Sequence, residues 1–295
     1  MIAMRKLRIS FLIGAVCAVV TVAGCSIDNS TLDEPGTAHI APVVVGAGSS
    51  DESAVLAQVY ATVLRSTGAD VSVRPDFGDR AEYLRALDAG DITVVPEFTG
   101  ELLAYFDSDA QATAAADVFE ELSRSLPQGL SVSDYASAED RSVMVIGQGD
   151  PRDMHELGDL APHCATSTVA VGSEFEDTAL ASIPGCTFGV VHHVADDPAV
   201  VEELRTGVAS VGGLTTLSPV LATGDLEALS DDEGIFRAQN VVPLYRSGTL
   251  AEPQLEALTV VAGELTSADL SDMLGQVRDG KSSVEVARTW FDAHA

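Results

Sequence analysis

The stretch DITVVPEFTGELLAYF, residues 91–106, gathers two carboxylates, an aromatic ring and a hydroxyl where an apolar run gives way to an amphipathic one. Glu97, Phe98, Thr99 and Glu101 can accept hydrogen bonds, offer a ring face and carry negative charge. Strand tips that run into helix starts are where α/β proteins hold ligands. The chemistry on offer is binding rather than bond-making. The sequence contains no Gly-x-Ser-x-Gly, His-Glu-x-x-His or P-loop pattern, so the common catalytic templates are missing. We read the chain as no enzyme and expect no cofactor. His192 and His193 are adjacent, and neighbours on a strand point to opposite faces, so they do not chelate one ion together. Asp231, Asp232 and Glu233 are consecutive and lack the alternating spacing of a calcium loop. They read as a solvated turn, and no metal is expected.

Further candidates lie at similar junctions. Ser49, Ser50 and Asp51 follow the apolar run PVVVGAG, Arg141 and Ser142 open RSVMVIGQ, and Thr215 and Thr216 follow VASVGGL. Together they would make a hydroxyl-rich site, although each residue type is also at home in turns and caps. Asp51 and Glu52 carry the same ambiguity between ligand and cap. Glu101 has two readings: an anion selecting a cationic or polyhydroxylated ligand, or a first-turn acid favoured by the helix dipole. Glu97 reads as a brace for the loop after its strand.

The N-terminus carries an address. Arg5, Lys6 and Arg8 precede an apolar run from Ile9 to Gly24, and small residues lead directly to Cys25. This is the pattern of an export signal, and the Val-Ala-Gly-Cys ending is similar to a bacterial lipoprotein signal. Residues 1–24 are then the signal peptide, Cys25 the lipidated first residue, and 25–41 a flexible polar tether. The protein would sit on the outer face of the cytoplasmic membrane, held by its lipid. In such a compartment the two remaining cysteines, Cys164 and Cys186, are expected to pair. The rival is a metal site formed with His163, His192 and His193, which no CxxC or HxxxH spacing supports. The formal charge is −29, with 45 acidic against 16 basic residues. That surface repels polyanions, which argues against nucleic acid.

Strand and helix patterns alternate along the chain, so a mainly parallel sheet flanked by helices is expected. In the segment quoted above the pattern predicts a strand over Ile92–Val95, a kink at Pro96 and a helix after it. A second α/β set follows RSVMVIGQ, and three helices close the chain without a sheet of their own. The expected architecture is α/β with two lobes. Lobe 1 comprises 42–142 and 241–295, lobe 2 is inserted as 143–240, and the crossovers fall near 141–148 and 236–244. Ligand would sit between the lobes.

At this point the residues resemble a known family, the substrate-binding proteins of osmoprotectant ABC transporters of the glycine betaine/choline/carnitine type. VVVGAGSSDESAVLAQVYATVLRSTGADV resembles the family's opening strand and helix. LRALDAGDITVVPEFTGELL resembles its Gly-Asp-Ile-Asp-x-Tyr-Pro-Glu-Tyr-Thr-Gly-Thr segment, and LSDDEGIFRAQNVVPLYR with the closing helices resembles its hinge and C-terminus. The middle of the chain is looser and is similar to an actinobacterial version with a cysteine pair there. The resemblance implies a venus-flytrap fold, a small-molecule solute in the cleft, ABC permease subunits as partners and a monomer. It also implies an aromatic cage around a quaternary ammonium and a basic clamp, with a Thr, on a carboxylate. This sequence departs at those positions. The two Tyr of the family segment are Val95 and Phe98, and its last Thr is Glu101. Gly48 falls where a Lys often stands, Ser142 at a Tyr, Thr178 at an Arg, and Leu214 or Thr215 at another Tyr, while Ser218 stands at an Asp. Arg141 and Arg80 are the available substitutes for a clamp, and the chain has only 15 aromatic residues in all. The expectation is a small polar solute other than glycine betaine. The alternative is a scaffold reused as a sensor or envelope interaction module.

Overall fold

The structure, a computed structural model, describes residues 42–175 and 177–294. The signal, Cys25 and the tether lie outside them. In chain order the first lobe's elements are β1 (Val43–Gly46), α1 (Asp51–Ser66), β2 (Val71–Arg74), α2 (Arg80–Ala89), β3 (Val94–Phe98), α3 (Thr99–Phe106), α4 (Ala115–Ser125) and β4 (Leu130–Val132). The chain then crosses to β5 (Ser142–Gly147), β6 (Thr168–Val171), α5 (Asp177–Ser182), β7 (Val190–His193), α6 (Asp197–Thr206), β8 (Val211–Thr215) and β9 (Leu226–Ala228). It returns through β10 (Val241–Arg246) and ends in α7 (Glu252–Glu264), α8 (Ser267–Arg278) and α9 (Ser283–His294).

Two five-stranded sheets result, ordered β2-β1-β3-β10-β4 and β7-β6-β8-β5-β9. They are built alike. Three strands run parallel, and the strand contributed by the crossover lies antiparallel between the third of these and a short edge strand. The fold is therefore the expected two-lobe venus-flytrap arrangement, each lobe a mixed sheet flanked by helices. Only β10 and β5 run against the rest; the edge strands β4 and β9, three residues each, pair antiparallel with them and so run with the other three.

Apolar periodicity explains the layers. In α1 the residues Val55, Leu56, Val59, Tyr60, Val63 and Leu64 are all buried, because this helix is covered by the first sheet on one side and by α7, α8 and α9 on the other. The opposite face of the sheet is covered by α2, α3 and α4. So the closing helices, which have no sheet of their own, complete the first lobe. Helix ends follow their capping residues. Asp79 and Glu82 form a reciprocal box at α2 and Gly90 ends it at φ 80°, and Thr266 and Asp269 do the same at the start of α8. The second lobe packs α6 on one sheet face and a second cluster on the other, which contains the Cys164–Cys186 disulfide with a Cα–Cα separation of 5.4 Å. That bond closes the alternative of a metal site at these cysteines.

Pro96 does not end its strand. β3 runs through it to Phe98 and passes directly into α3. Pro96 lies opposite Pro243 of β10. Neither residue has an N–H, so their pairing falls at a position of the ladder that exchanges no hydrogen bonds, where a proline removes nothing. The crossovers also fall earlier than the apolar pattern predicts. They are residues 133–141 and 229–240, which run antiparallel where Glu139 bridges Asn240. Main-chain bonds from Asp140 N to Gln239 O (3.0 Å) and from Val241 N to Ala138 O (2.8 Å) tie them together.

Candidate functional site

A cleft of about 1150 Å³ opens between the lobes. Its first-lobe wall comes from the β1–α1 turn, the start of α2 and the β3–α3 junction. Its second-lobe wall comes from Ser173, Glu174 and Phe175, from the α5 residues Thr178, Ala179 and Ser182, and from Thr215, and the second crossover closes one side. Of the ten proposed ligand contacts, Ser49, Ser50, Phe98, Glu101, Ser142 and Thr215 line this space, as do Gly48, Glu52, Arg80, Glu97 and Thr178, which were also named above.

Four others do not line it, for local reasons. Asp51 is exposed in the first turn of α1, and the residue turned into the cleft is its neighbour Glu52. Successive helix side chains point about 100° apart, so a one-residue difference decides which acid faces inward. Thr99 is fully buried. Its main-chain N–H donates to Asn240 O at 3.0 Å, and its Oγ1 accepts from Asn240 N at 3.0 Å. Arg141 turns away to Glu139 and Asp231, each at 3.2 Å. Thr216 accepts from Arg141 N at 3.0 Å and donates to Glu139 O at 2.6 Å. Arg141 and Thr216 line a separate hollow of about 360 Å³ beside the crossovers, which Ser142 also reaches. Val95, at a family Tyr position, is wholly buried in the core.

The Pro-Glu-Phe-Thr-Gly run therefore does mostly structural work. Glu97, 2% exposed, accepts from Arg80 Nε at 2.9 Å, from an Arg80 terminal nitrogen at 3.0 Å and from Tyr83 OH at 2.6 Å. It is a brace, reaching from β3 to α2. Thr99 latches the returning crossover. Gly100 leaves room for it: a Cβ there would lie 2.4 Å from Ala238 O. Gln239 Oε1 then accepts from Glu101 N at 2.8 Å, capping an α3 start that has no side-chain cap of its own.

The cleft is acidic. Glu52, Glu97, Glu101, Asp140 and Glu174 line it, against Arg80 and Arg237. The Glu52 carboxyl is held well above the usual carboxylate range, by burial first and then by Asp140, Glu101 and Glu174, with Arg278 opposing. Asp140 is pushed up to about 6 by burial, opposed by a hydrogen bond from Thr215 and raised further by Glu101, Glu174 and Asp197. Burial works against the charge of Arg80, yet hydrogen bonds and charge from Glu97, joined by Glu101, carry its pKa further up. Among the described residues no group of three or more His, Cys, Asp or Glu is placed to hold a metal ion. Asp140, Glu174 and Arg237 escaped sequence reasoning because they come from crossovers and irregular loops, whose direction no periodicity reveals. Only the ambiguity of the α1 first turn pointed toward Glu52.

The cleft has more rings than Phe98 alone. Tyr83, Tyr105, Phe175 and Phe236 also border it. Tyr83, Phe175 and Phe236 are nine-tenths or more buried in the two lobes' cores. Tyr105 stands edge-on to Phe106, a ring that does not line the cleft, and no two of the five bordering rings contact one another.

Residues 41–293 match the family model for the substrate binding domain of ABC-type glycine betaine transport systems. Among solved structures, that of a glycine betaine/carnitine/choline ABC transporter superposes with a TM-score of 0.73 at 16% identity, covering 85% of this chain and 98% of that one. Apo YehZ from Escherichia coli gives a TM-score of 0.69 at 22% identity, covering 86% and 98%. Lactococcal OpuAC, closed and complexed with glycine betaine, gives 0.53 at 15% identity, covering 86% and 96%. At these identities the structures share a fold, while the family match spans nearly the whole described chain. The chain belongs to the substrate-binding proteins of ABC-type glycine betaine transport systems, a family that binds solute and performs no catalysis.

Proposed function

We propose that the protein is the exported solute receptor of an ABC importer, anchored through Cys25, and that its cleft takes a small polar solute other than glycine betaine. Lobe 1, as 42–142 with 241–295, and lobe 2, as 143–240, would close on the solute by bending at the crossovers. The monomer so closed is what the permease subunits would recognise. One observation carries the ligand reading: among the described residues, no cation lining the cleft is free to hold a carboxylate. Arg80 is engaged by Glu97 at 2.9 Å and by Glu101. Arg237 donates to Ala110 O at 2.6 Å and to Ala112 O at 3.0 Å. A betaine carboxylate entering here would meet acids and no donor of opposite charge.

Ser49, Ser50, Phe98, Glu101, Ser142 and Thr215 are the proposed contacts. The test is thermal unfolding of the pure protein with and without glycine betaine. Any native-state ligand raises Tm by linkage, by about 2.7 kcal/mol of stabilisation at a hundred times Kd. The expected shift at 1 mM betaine is under about 1 °C, and a rise of several degrees would refute the assignment.

A further inference from the structure

Two carboxylate oxygens in the cleft, Oε1 of Glu52 and Oδ1 of Asp140, are shielded from solvent and have no hydrogen-bond partner. A carboxylate oxygen can be satisfied only by a donor. Glu52 stands on the first turn of α1 and Asp140 on the first crossover, so the two acids approach the space from different elements. Glu174, from the second lobe, also faces this space. Five acidic side chains against two guanidiniums line the cleft, and both guanidiniums already have partners. The missing counterpart supplies hydrogen-bond donors, and the excess of acids over free cations favours one that also carries positive charge. A quaternary ammonium has the charge but no N–H and leaves both oxygens unpaired, and a zwitterion adds an anion that the cleft does not receive.

We propose that the cleft is built for a protonated di- or polyamine without a carboxylate, its ammonium N–H groups donating to Glu52 and Asp140, with Glu174 meeting further charge on lobe closure. This rests on the receptor reading above and names its solute class. The half-buried ring of Phe98, which lines the cleft, suits the methylene stems of such a ligand and adds cation–π attraction.

Calorimetric titration in phosphate buffer with 150 mM salt tests the proposal, with putrescine, spermidine, choline and glycine betaine as probes. Wild-type protein is compared with Glu52→Gln, Asp140→Asn and Glu174→Gln. The expected result is saturable one-to-one binding of putrescine or spermidine, weakened at least tenfold by Glu52→Gln and by Asp140→Asn, with choline and betaine silent. Loose attraction of polycations to a surface of net charge −29 would survive removal of a single charge. Amine binding unchanged in all three variants would therefore overturn the proposal. Binding of choline or betaine with both amines silent would overturn it while leaving a solute receptor in place. Silence of the four probes and of a broad panel of polar solutes would overturn the receptor reading as well.

Discussion

Replacing Glu97 by Gln would separate the brace from the binding surface. Glu97 is 2% exposed and accepts two bonds from Arg80, at 2.9 and 3.0 Å, and one from Tyr83 at 2.6 Å. The amide keeps one acceptor oxygen but turns an NH2 group toward the Arg80 donors, leaving that guanidinium with Glu101 alone. Breaking a buried ion pair from one side costs about 3–5 kcal/mol. Arg80 is 24% exposed, so water offsets part of the loss and we take about 3 kcal/mol. For a domain of this size each kcal/mol moves Tm by roughly 2–4 °C, which gives a fall of about 6–12 °C. The companion variant Glu101→Gln removes a carboxylate that is 41% exposed. An exposed pair contributes about 0–1 kcal/mol, so its Tm should fall by no more than about 4 °C. Both are measured by calorimetry or circular dichroism at pH 7.5 without ligand. If Glu97→Gln melts within 2 °C of wild type, or Glu101→Gln falls as far as Glu97→Gln, the division between brace and cleft is wrong.

Three more expectations concern stability and location. A carboxyl whose folded pKa is raised opposes folding when ionised, so stability is lost as pH rises from about 4 toward the folded value of about 6. Asp140→Asn should therefore be more stable than wild type at pH 7.5, by about 3 kcal/mol, with a higher Tm, and the two proteins should converge near pH 4; the opposite trend in parallel melts would disprove the assignment. Gly100→Ala forces a Cβ to within 2.4 Å of Ala238 O, and such overpacking costs about 1–3 kcal/mol, to be read as a lower urea midpoint with unchanged m-value. Cys25→Ala in the full chain should move the protein from the detergent phase to the aqueous phase of a Triton X-114 partition; wild type found in the aqueous phase would rule out the lipid anchor.

Strong periodic segments were legible in the sequence because their buried faces repeat. The apolar face of α1, the strand cores VVV and VMVI, and the capping residues Asp79, Gly90 and Thr266 each announce an element locally. The pairing of Cys164 with Cys186 followed from compartment and count. Pro96 misled because a proline's effect depends on the facing strand, here Pro243, which lies 147 residues away in sequence and joins only through the return crossover.

The same contrast holds at the site. Residues 91–106 by themselves fix a strand running into a helix, with hydroxyl and carboxylate groups at the junction, since period and residue type are local properties. Which of those groups meets ligand was decided only in three dimensions. Val95 and Thr99 are enclosed, Glu97 is claimed by Arg80 and Tyr83, and Gly100 is pressed against the returning chain. Phe98 and Glu101 remain at the cleft, joined by Glu52, Asp140 and Glu174 from three other segments. Charge acts through space and not along the chain, so an acidic cleft assembled from four segments becomes visible only once the lobes and crossovers have folded around it.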